Sequence, residues 1–241
     1  MIWHVFKNAE RVGEAAAAFV SAQILKKPDT VLGLATGSSP LPLYGELIRM
    51  YERGLIDFSK VCSYNLDEYI GLGALHPCSY RAFMQENLFN HINIKPENTN
   101  LPDGSCSDPQ EECVRYDDAI LKSGGIDLQI LGIGANGHIG FNEPNERFTY
   151  ETHVAMLSQT TLHDNRKFFP SGIEQPARAI TMGIGGIMAA ECIVLIATGR
   201  GKAEAIEKSV RGPIVPSLPA SVLRLHSNVI FLLDEAAADK L

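Results

Sequence analysis

No stretch of the 241 residues approaches the roughly eighteen consecutive apolar residues that a membrane span requires, so no transmembrane helix is predicted. The opening MIWHVFKNAE lacks a basic n-region followed by a long apolar h-region, so no secretory signal is expected. Cysteine is scarce and unpaired. Cys62, Cys78, Cys106, Cys113 and Cys192 are odd in number, scattered, and contain no CxxC pair. That excludes a disulfide framework and predicts the reduced thiols of a cytoplasmic protein. Positive charge is also short, with 21 Lys and Arg against 28 Asp and Glu, a net charge of −7 and a pI near 5.5. A chain with this balance is not expected to bind nucleic acid by neutralising many phosphates. What is present is ordinary globular composition, 45% apolar and 20% charged, too apolar for disorder. At this length a core can be buried without disulfides or metals.

Short apolar runs alternate with helical stretches. Ile2–Phe6, Thr30–Ala35, Val61–Leu66, Ile126–Leu131, Ala179–Met182, Cys192–Ala197 and Val229–Leu233 are predicted strands. Asn8 is a candidate N-cap for an alanine-rich helix that stops before Pro28, and Asp108-Pro109 opens a helix closing at Gly124-Gly125. Another helix starts near Ser79. A further one has Ser39 as candidate N-cap, Pro40 at its first position, Gly54 past its end, and a predicted apolar face at positions 41, 44, 48 and 51. The alternation predicts an α/β fold with a mostly parallel sheet covered by helices on both faces. No linker, repeat or composition shift divides the chain, so residues 1–241 are read as one domain. The stretch from about 140 to 175 is the least regular and is expected to be a lid or loop region.

The unusual polar residues recur at predicted strand ends, where open α/β sheets bind ligands. TVLGLA runs into Thr36-Gly37-Ser38-Ser39, VCSYNL into Asp67-Glu68-Tyr69, IDLQIL into GIGANGHIGFNE, and CIVLIA into Thr198-Gly199-Arg200-Gly201-Lys202. Four such ends can converge on one site. TGSSP entering a helix suits an anion, with free N–H groups and the positive end of the helix dipole, and Lys202 can add a point charge. Taken alone, this loop also reads as a capped turn. GIGANG matches GxGxxG after a strand, but Gly140 and Pro144 spoil the helix that a dinucleotide site needs. His138 and Glu143 share the glycine-rich loop without the spacing of a metal site. His138, at a strand end beside a carboxylate, is a candidate acid or base, and its bland alternative is a hydrogen-bonded structural histidine. Asp67 has the same ambiguity, since Asp-Glu after a strand is often a turn. No GxSxG elbow is present.

Together GLATGSSPLPLY, NLDEYIGL, HPCSYRAFM, GIGANGHIGFNEP, ITMGIGGIM and PASVLRLH resemble the glucosamine-6-phosphate deaminase (isomerase) family along almost the whole chain. The resemblance implies a modified Rossmann-like α/β fold. It implies conversion of glucosamine 6-phosphate and water to fructose 6-phosphate and ammonia, within amino-sugar (N-acetylglucosamine) catabolism and without metal or nucleotide cofactor. It assigns Asp67 as the base that moves a proton between C2 and C1, and His138 as the ring-opening residue, assisted by Glu143 and Asn136. It assigns Thr36, Gly37, Ser38, Ser39, Lys167 and Lys202 to the substrate and phosphate site. Two positions depart from the family pattern. Asn136 stands where many members carry Asp, and Lys167, preceded by Arg166, stands where many carry Arg. Either Lys167 or Arg166 is the phosphate contact. The basic pair with which regulated members hold the phosphate of N-acetylglucosamine 6-phosphate aligns with His153 and Ala155, so that effector is not expected to act.

Two other readings remain open at this level. One is another sugar-phosphate isomerase or a 6-phosphogluconolactonase-like hydrolase on the same scaffold. The other is a non-catalytic sugar-phosphate-sensing module, which has no need of Asp67, His138 and Glu143 together. In each case the expected partner is a small-molecule sugar phosphate, with no nucleic acid and no membrane. The sequence leaves open whether the chain is a monomer or a homo-oligomer.

Overall fold

The computed structural model describes residues 1–241. Its strands are β1 (Ile2–Phe6), β2 (Val31–Leu34), β3 (Cys62–Asn65), β4 (Asp67–Tyr69), β5 (Thr99–Asn100), β6 (Leu128–Leu131), β7 (His153–Met156), β8 (Arg178–Thr181), β9 (Cys192–Ala197) and β10 (Val229–Asp234). The helices are α1 (Ala9–Lys26), α2 (Leu41–Glu52), α3 (Tyr80–Asn87), α4 (Pro109–Lys122), α5 (Gln159–Asn165), α6 (Ile184–Met188) and α7 (Ala203–Arg211). Seven strands form one sheet in the order β1-β10-β9-β6-β2-β3-β5, parallel at every pairing. The central strands β2, β6 and β9 are buried along nearly their whole length, which is why they read as continuous apolar runs. At the end opposite the polar loops, Asp127 accepts from Lys27 Nζ, Thr30 Oγ1 and the Val31 N–H, pinning β6 to the start of β2.

Local signals in the sequence produce several of the helix starts. Asn8 Oδ1 accepts the Arg11 N–H, Ser79 Oγ the Ala82 N–H, and Asp108 Oδ1 the N–H groups of Gln110 and Glu111. Ser39 does not cap α2. The helix begins at Leu41 with Pro40 at the cap position and no side-chain cap bond. A capping Ser39 would take the N–H three residues on, and that residue is Pro42, which has none. The buried face of α2 is Leu43, Tyr44 and Leu47, while Leu41 is exposed. Ile48 and Tyr51 pack against the core from partly buried positions, and α1 and α2 nearly touch at Gly13, where a Cβ would lie 2.5 Å from Pro42 Cβ and 2.8 Å from Leu43 N.

The largest departure from the sequence reading is a second sheet. Asp67–Tyr69 forms β4, which pairs antiparallel with β8, and β8 pairs antiparallel with β7. The predicted strand at 179–182 therefore belongs to this small sheet and not to the parallel one. The region from 140 to 175 contains β7 and α5 and is more regular than its composition indicates. A compact aromatic group, Tyr69, Phe141 and Phe169, is buried on this second sheet.

Candidate active site

A cavity of about 700 Å³ opens beyond the carboxyl ends of β2, β3, β6 and β9. Its walls include Thr36, Gly37, Ser38 and Ser39 after β2, Asp67 after β3, His138 after β6, and Thr198 and Lys202 after β9. The four strand ends thus meet at one place. Gly37, with φ of 91°, bends the first loop into α2. The loop carrying Lys202 is set by Gly199, with φ of 87°, whose N–H donates to the Asp234 carboxylate at the end of β10. Burial pulls the Lys202 pKa down and Lys167 adds to this, while Asp164 opposes it.

Asp67 is 5% exposed, and no protein donor satisfies its carboxylate. Burial, reinforced by the neighbouring Glu68 charge, pushes its pKa up to about 8. Glu68 points the other way along the strand, as alternate residues must. Its carboxylate accepts the N–H groups of Tyr69, Tyr80 and Arg81, closing the start of α3. Burial outweighs these bonds and raises Glu68 to about 7. Gly140, with φ of 55°, lies against Asp67: a Cβ there would be 3.0 Å from Thr181 Oγ1 and 3.5 Å from Asp67 Oδ2. The glycine lets the histidine loop close over the carboxylate.

Asn136, His138 and Glu143 form a hydrogen-bonded row. Asn136 Nδ2 donates to Glu143 Oε2 at 2.8 Å, and Asn136 Oδ1 lies 2.7 Å from His138 Nδ1. With its amide nitrogen committed to a carboxylate, Asn136 offers only its oxygen to the ring, so the proton sits on Nδ1 and Nε2 carries the free lone pair. The imidazole lies on the α-carbon of Gly134, where a Cβ would be 2.2 Å from His138 Cε1. Burial lowers the His138 pKa below its ordinary value and Lys202 adds to that, against an opposing pull from Glu143. The ring is neutral near pH 7. After Gly137 the chain turns back through an Ile139–Asn142 bridge and enters no helix, unlike a dinucleotide-binding turn. No three His, Cys, Asp or Glu side chains converge closely enough to hold a metal ion.

Asn136 and Glu143 stand behind His138 and do not line the cavity, whereas Lys167 lines it and Arg166 does not. Arg166 instead donates through Nη1 to the carbonyls of Phe169 and Ile173. Sequence reasoning missed Tyr80, Thr161, His163, Asp164 and Asn165, all on the cavity wall. His163 had no context that set it apart. Four of the five sit on α5, inside the stretch read as irregular, and Tyr80 sits in HPCSYRAFM without a role.

Comparison with known proteins places the chain in a family. Residues 7–231 match the family model described as glucosamine-6-phosphate isomerases/6-phosphogluconolactonase. A glucosamine-6-phosphate deaminase of Thermoanaerobacter sp. (strain X514) is 55% identical over 96% of this chain and 91% of its own. One from Clostridium perfringens (strain 13 / Type A) is 51% identical over 97% of each. The solved structure of a monomeric glucosamine-6-phosphate deaminase superposes with a TM-score of 0.97 at 41% identity, covering 100% of both chains. With a family model spanning most of its length and relatives above half identity, this chain belongs to the glucosamine-6-phosphate isomerase/6-phosphogluconolactonase family.

Proposed function

We propose that this chain, acting as one domain over residues 1–241, converts glucosamine 6-phosphate and water to fructose 6-phosphate and ammonia in amino-sugar catabolism. The observation that carries this reading is one cavity faced by two different proton-transfer groups. These are the donor-free carboxylate of Asp67 and the Nε2 lone pair of His138, beside a glycine-serine helix entrance and two lysines. An aldose–ketose conversion of a cyclic sugar phosphate needs that combination.

The phosphate lies on the Thr36–Ser39 loop at the N-terminus of α2, with Lys167 and Lys202 as cations. His138 Nε2 takes the proton of the anomeric hydroxyl and returns it to the ring oxygen, which breaks the C1–O5 bond and leaves an aldehyde at C1. Asp67, kept basic by burial, takes the C2 proton while one proton of the amino group passes through solvent to O1, which gives the enolamine, and the Asp67 carboxyl then protonates C1. The product is an imine at C2. Water adds to C2, the nitrogen is protonated and leaves as ammonia, and the ketone of fructose 6-phosphate remains. Glu143, through Asn136, holds the His138 tautomer that the first step requires.

The test is incubation with glucosamine 6-phosphate and measurement of ammonia and fructose 6-phosphate. Equal amounts of both are expected. Hydrolysis of 6-phosphogluconolactone without ammonia release from the amino sugar overturns the assignment.

A further inference from the structure

One wall of the cavity is supplied by a short segment, α5 and the turn after it, which carries Thr161, Asp164, Asn165 and Lys167. A seven-residue helix has no independent stability, so its position depends on its tethers. At its start, the Ser158 N–H donates to Glu143 Oε1 at 3.3 Å and Ser158 Oγ accepts the Thr161 N–H. At its far end the tether is different. Asn165 Nδ2 donates to the hydroxyl of Tyr69 at 3.1 Å.

Tyr69 lies two residues beyond Asp67 on β4, hence on the same face of that strand. It is 1% exposed and clamped by aromatic rings, with Tyr80 at 4.9 Å, Phe169 at 5.4 Å and Phe141 at 5.5 Å between centroids. Its oxygen accepts a second bond, from Tyr80 Oη at 3.3 Å, and the Tyr80 oxygen in turn faces Thr36 of the glycine-serine loop. A row of hydrogen-bonded groups therefore runs from Asn165 through Tyr69 to Tyr80, and Tyr80 lines the cavity together with Thr36. The row ties the segment bearing Lys167 to that wall, and it passes the strand that carries Asp67. None of the proton transfers uses the Tyr69 hydroxyl.

We propose that Tyr69 is a positioning residue, whose hydroxyl holds Asn165 and thereby fixes Lys167, two residues on, at a set distance from Asp67 and the Thr36–Ser39 loop. The phosphate anchor and the base then belong to one rigid frame. This inference rests on the assignment of Lys167 to the phosphate.

The experiment compares Tyr69→Phe, Asn165→Ala, Lys167→Ala and the double variant Tyr69→Phe/Lys167→Ala. It measures the Kd of inorganic phosphate by calorimetry, kcat and KM for glucosamine 6-phosphate, and Tm. Phenylalanine keeps the ring packing, and Asn165→Ala removes the same bond from the half-exposed side, so at least one variant folds normally. Tyr69→Phe and Asn165→Ala are each expected to raise the phosphate Kd and the KM by roughly 3-fold to 10-fold, the size of one buried hydrogen bond, with kcat changed less than about 2-fold. In the Lys167→Ala background, Tyr69→Phe is expected to add nothing. A merely structural role would persist in that background, so full retention of the effect there overturns the proposal. So does an unchanged phosphate Kd in Tyr69→Phe while Lys167→Ala weakens it. An unchanged Kd in Lys167→Ala overturns both the lysine assignment and this inference. Because phosphate binding needs no turnover, failure of the proposed reaction is read separately, from ammonia release by the unsubstituted protein.

Discussion

Asn136 accepts the Nδ1 proton of His138 across 2.7 Å while giving its own amide hydrogen to Glu143. A neutral amide in this position fixes the tautomer of the ring without bringing a negative charge against it. Glu143 Oε2, 3.8 Å from Nδ1, is the larger of two charges that favour an imidazolium, Asp164 being the other, and burial outweighs both. His138 is therefore built as a neutral proton carrier at Nε2 and not as a standing cation.

Replacing His138 by Gln is expected to slow turnover of the ring-closed sugar by about 10²-fold to 10⁴-fold, the usual weight of a general acid–base group. An analogue unable to cyclise should lose far less, since only ring opening passes through the imidazole. Steady-state rates on the two substrates decide this, and equal losses would remove His138 from that step.

The carboxyl of Asp67 sets the pH dependence. It must be ionised to take the C2 proton, and its pKa is raised to about 8, so kcat/KM should rise with pH toward 8. His138 is shifted the other way, below its ordinary value by burial, so its titration lies on the acid side of that of Asp67. A profile flat from pH 5.5 to 9 would show that the carboxylate is not held basic. Asp67→Asn should abolish exchange of the C2 hydrogen with solvent.

The same carboxyl has a stability consequence. Its folded pKa lies above its unfolded value of 3.8, so the folded chain binds the proton more tightly. Stability is thus full below the unfolded pKa and falls as pH rises through the folded one. Asp67→Asn, uncharged at every pH, should match the parent protein near pH 4 and exceed its Tm at pH 8 to 9. Each kcal/mol recovered is worth about 2–4 °C in a chain of this size. Melting curves across that range that stay superimposed would contradict the burial account.

Lys202 and Arg166 should separate cleanly. Lys202→Ala removes a cation from the cavity and is expected to cost roughly 1.5–3 kcal/mol of phosphate binding, read as a raised KM for glucosamine 6-phosphate. Unphosphorylated glucosamine should be little affected. Arg166→Ala, which loses the bonds to the Phe169 and Ile173 carbonyls, should lower Tm and leave KM within about twofold, since its guanidinium lies off the cavity wall.

N-acetylglucosamine 6-phosphate should not activate turnover. The two positions that the family resemblance matches to an effector-binding basic pair, His153 and Ala155, lie on β7. There the Nδ1 of His153 is engaged with the Glu151 carbonyl, and Ala155 is buried and offers no donor. An effector coupling of about 1–3 kcal/mol would have little charge to draw on. Initial rates with and without the effector test this, and a sigmoidal curve that becomes hyperbolic on its addition would refute it.

What the sequence determined by itself was whatever is encoded within a few residues. The central parallel strands are legible because both faces of each are buried, and the starts of α1, α3 and α4 because Asn8, Ser79 and Asp108 bond to N–H groups two or three positions on. The polar strand ends, and the row of Asn136, His138 and Glu143 inside one loop, were local in the same way. Only the tertiary structure decided features that join distant segments. β4 exists because Asp67 pairs with Thr181, and nothing near Asp67 specifies that partner. Lys167 faces the cavity and Arg166 does not because Arg166 is bound to the carbonyls of a turn that closes only in the fold. The basicity of Asp67 likewise comes first from its burial, with the Glu68 charge only adding to it, and desolvation is set by everything packed around a group.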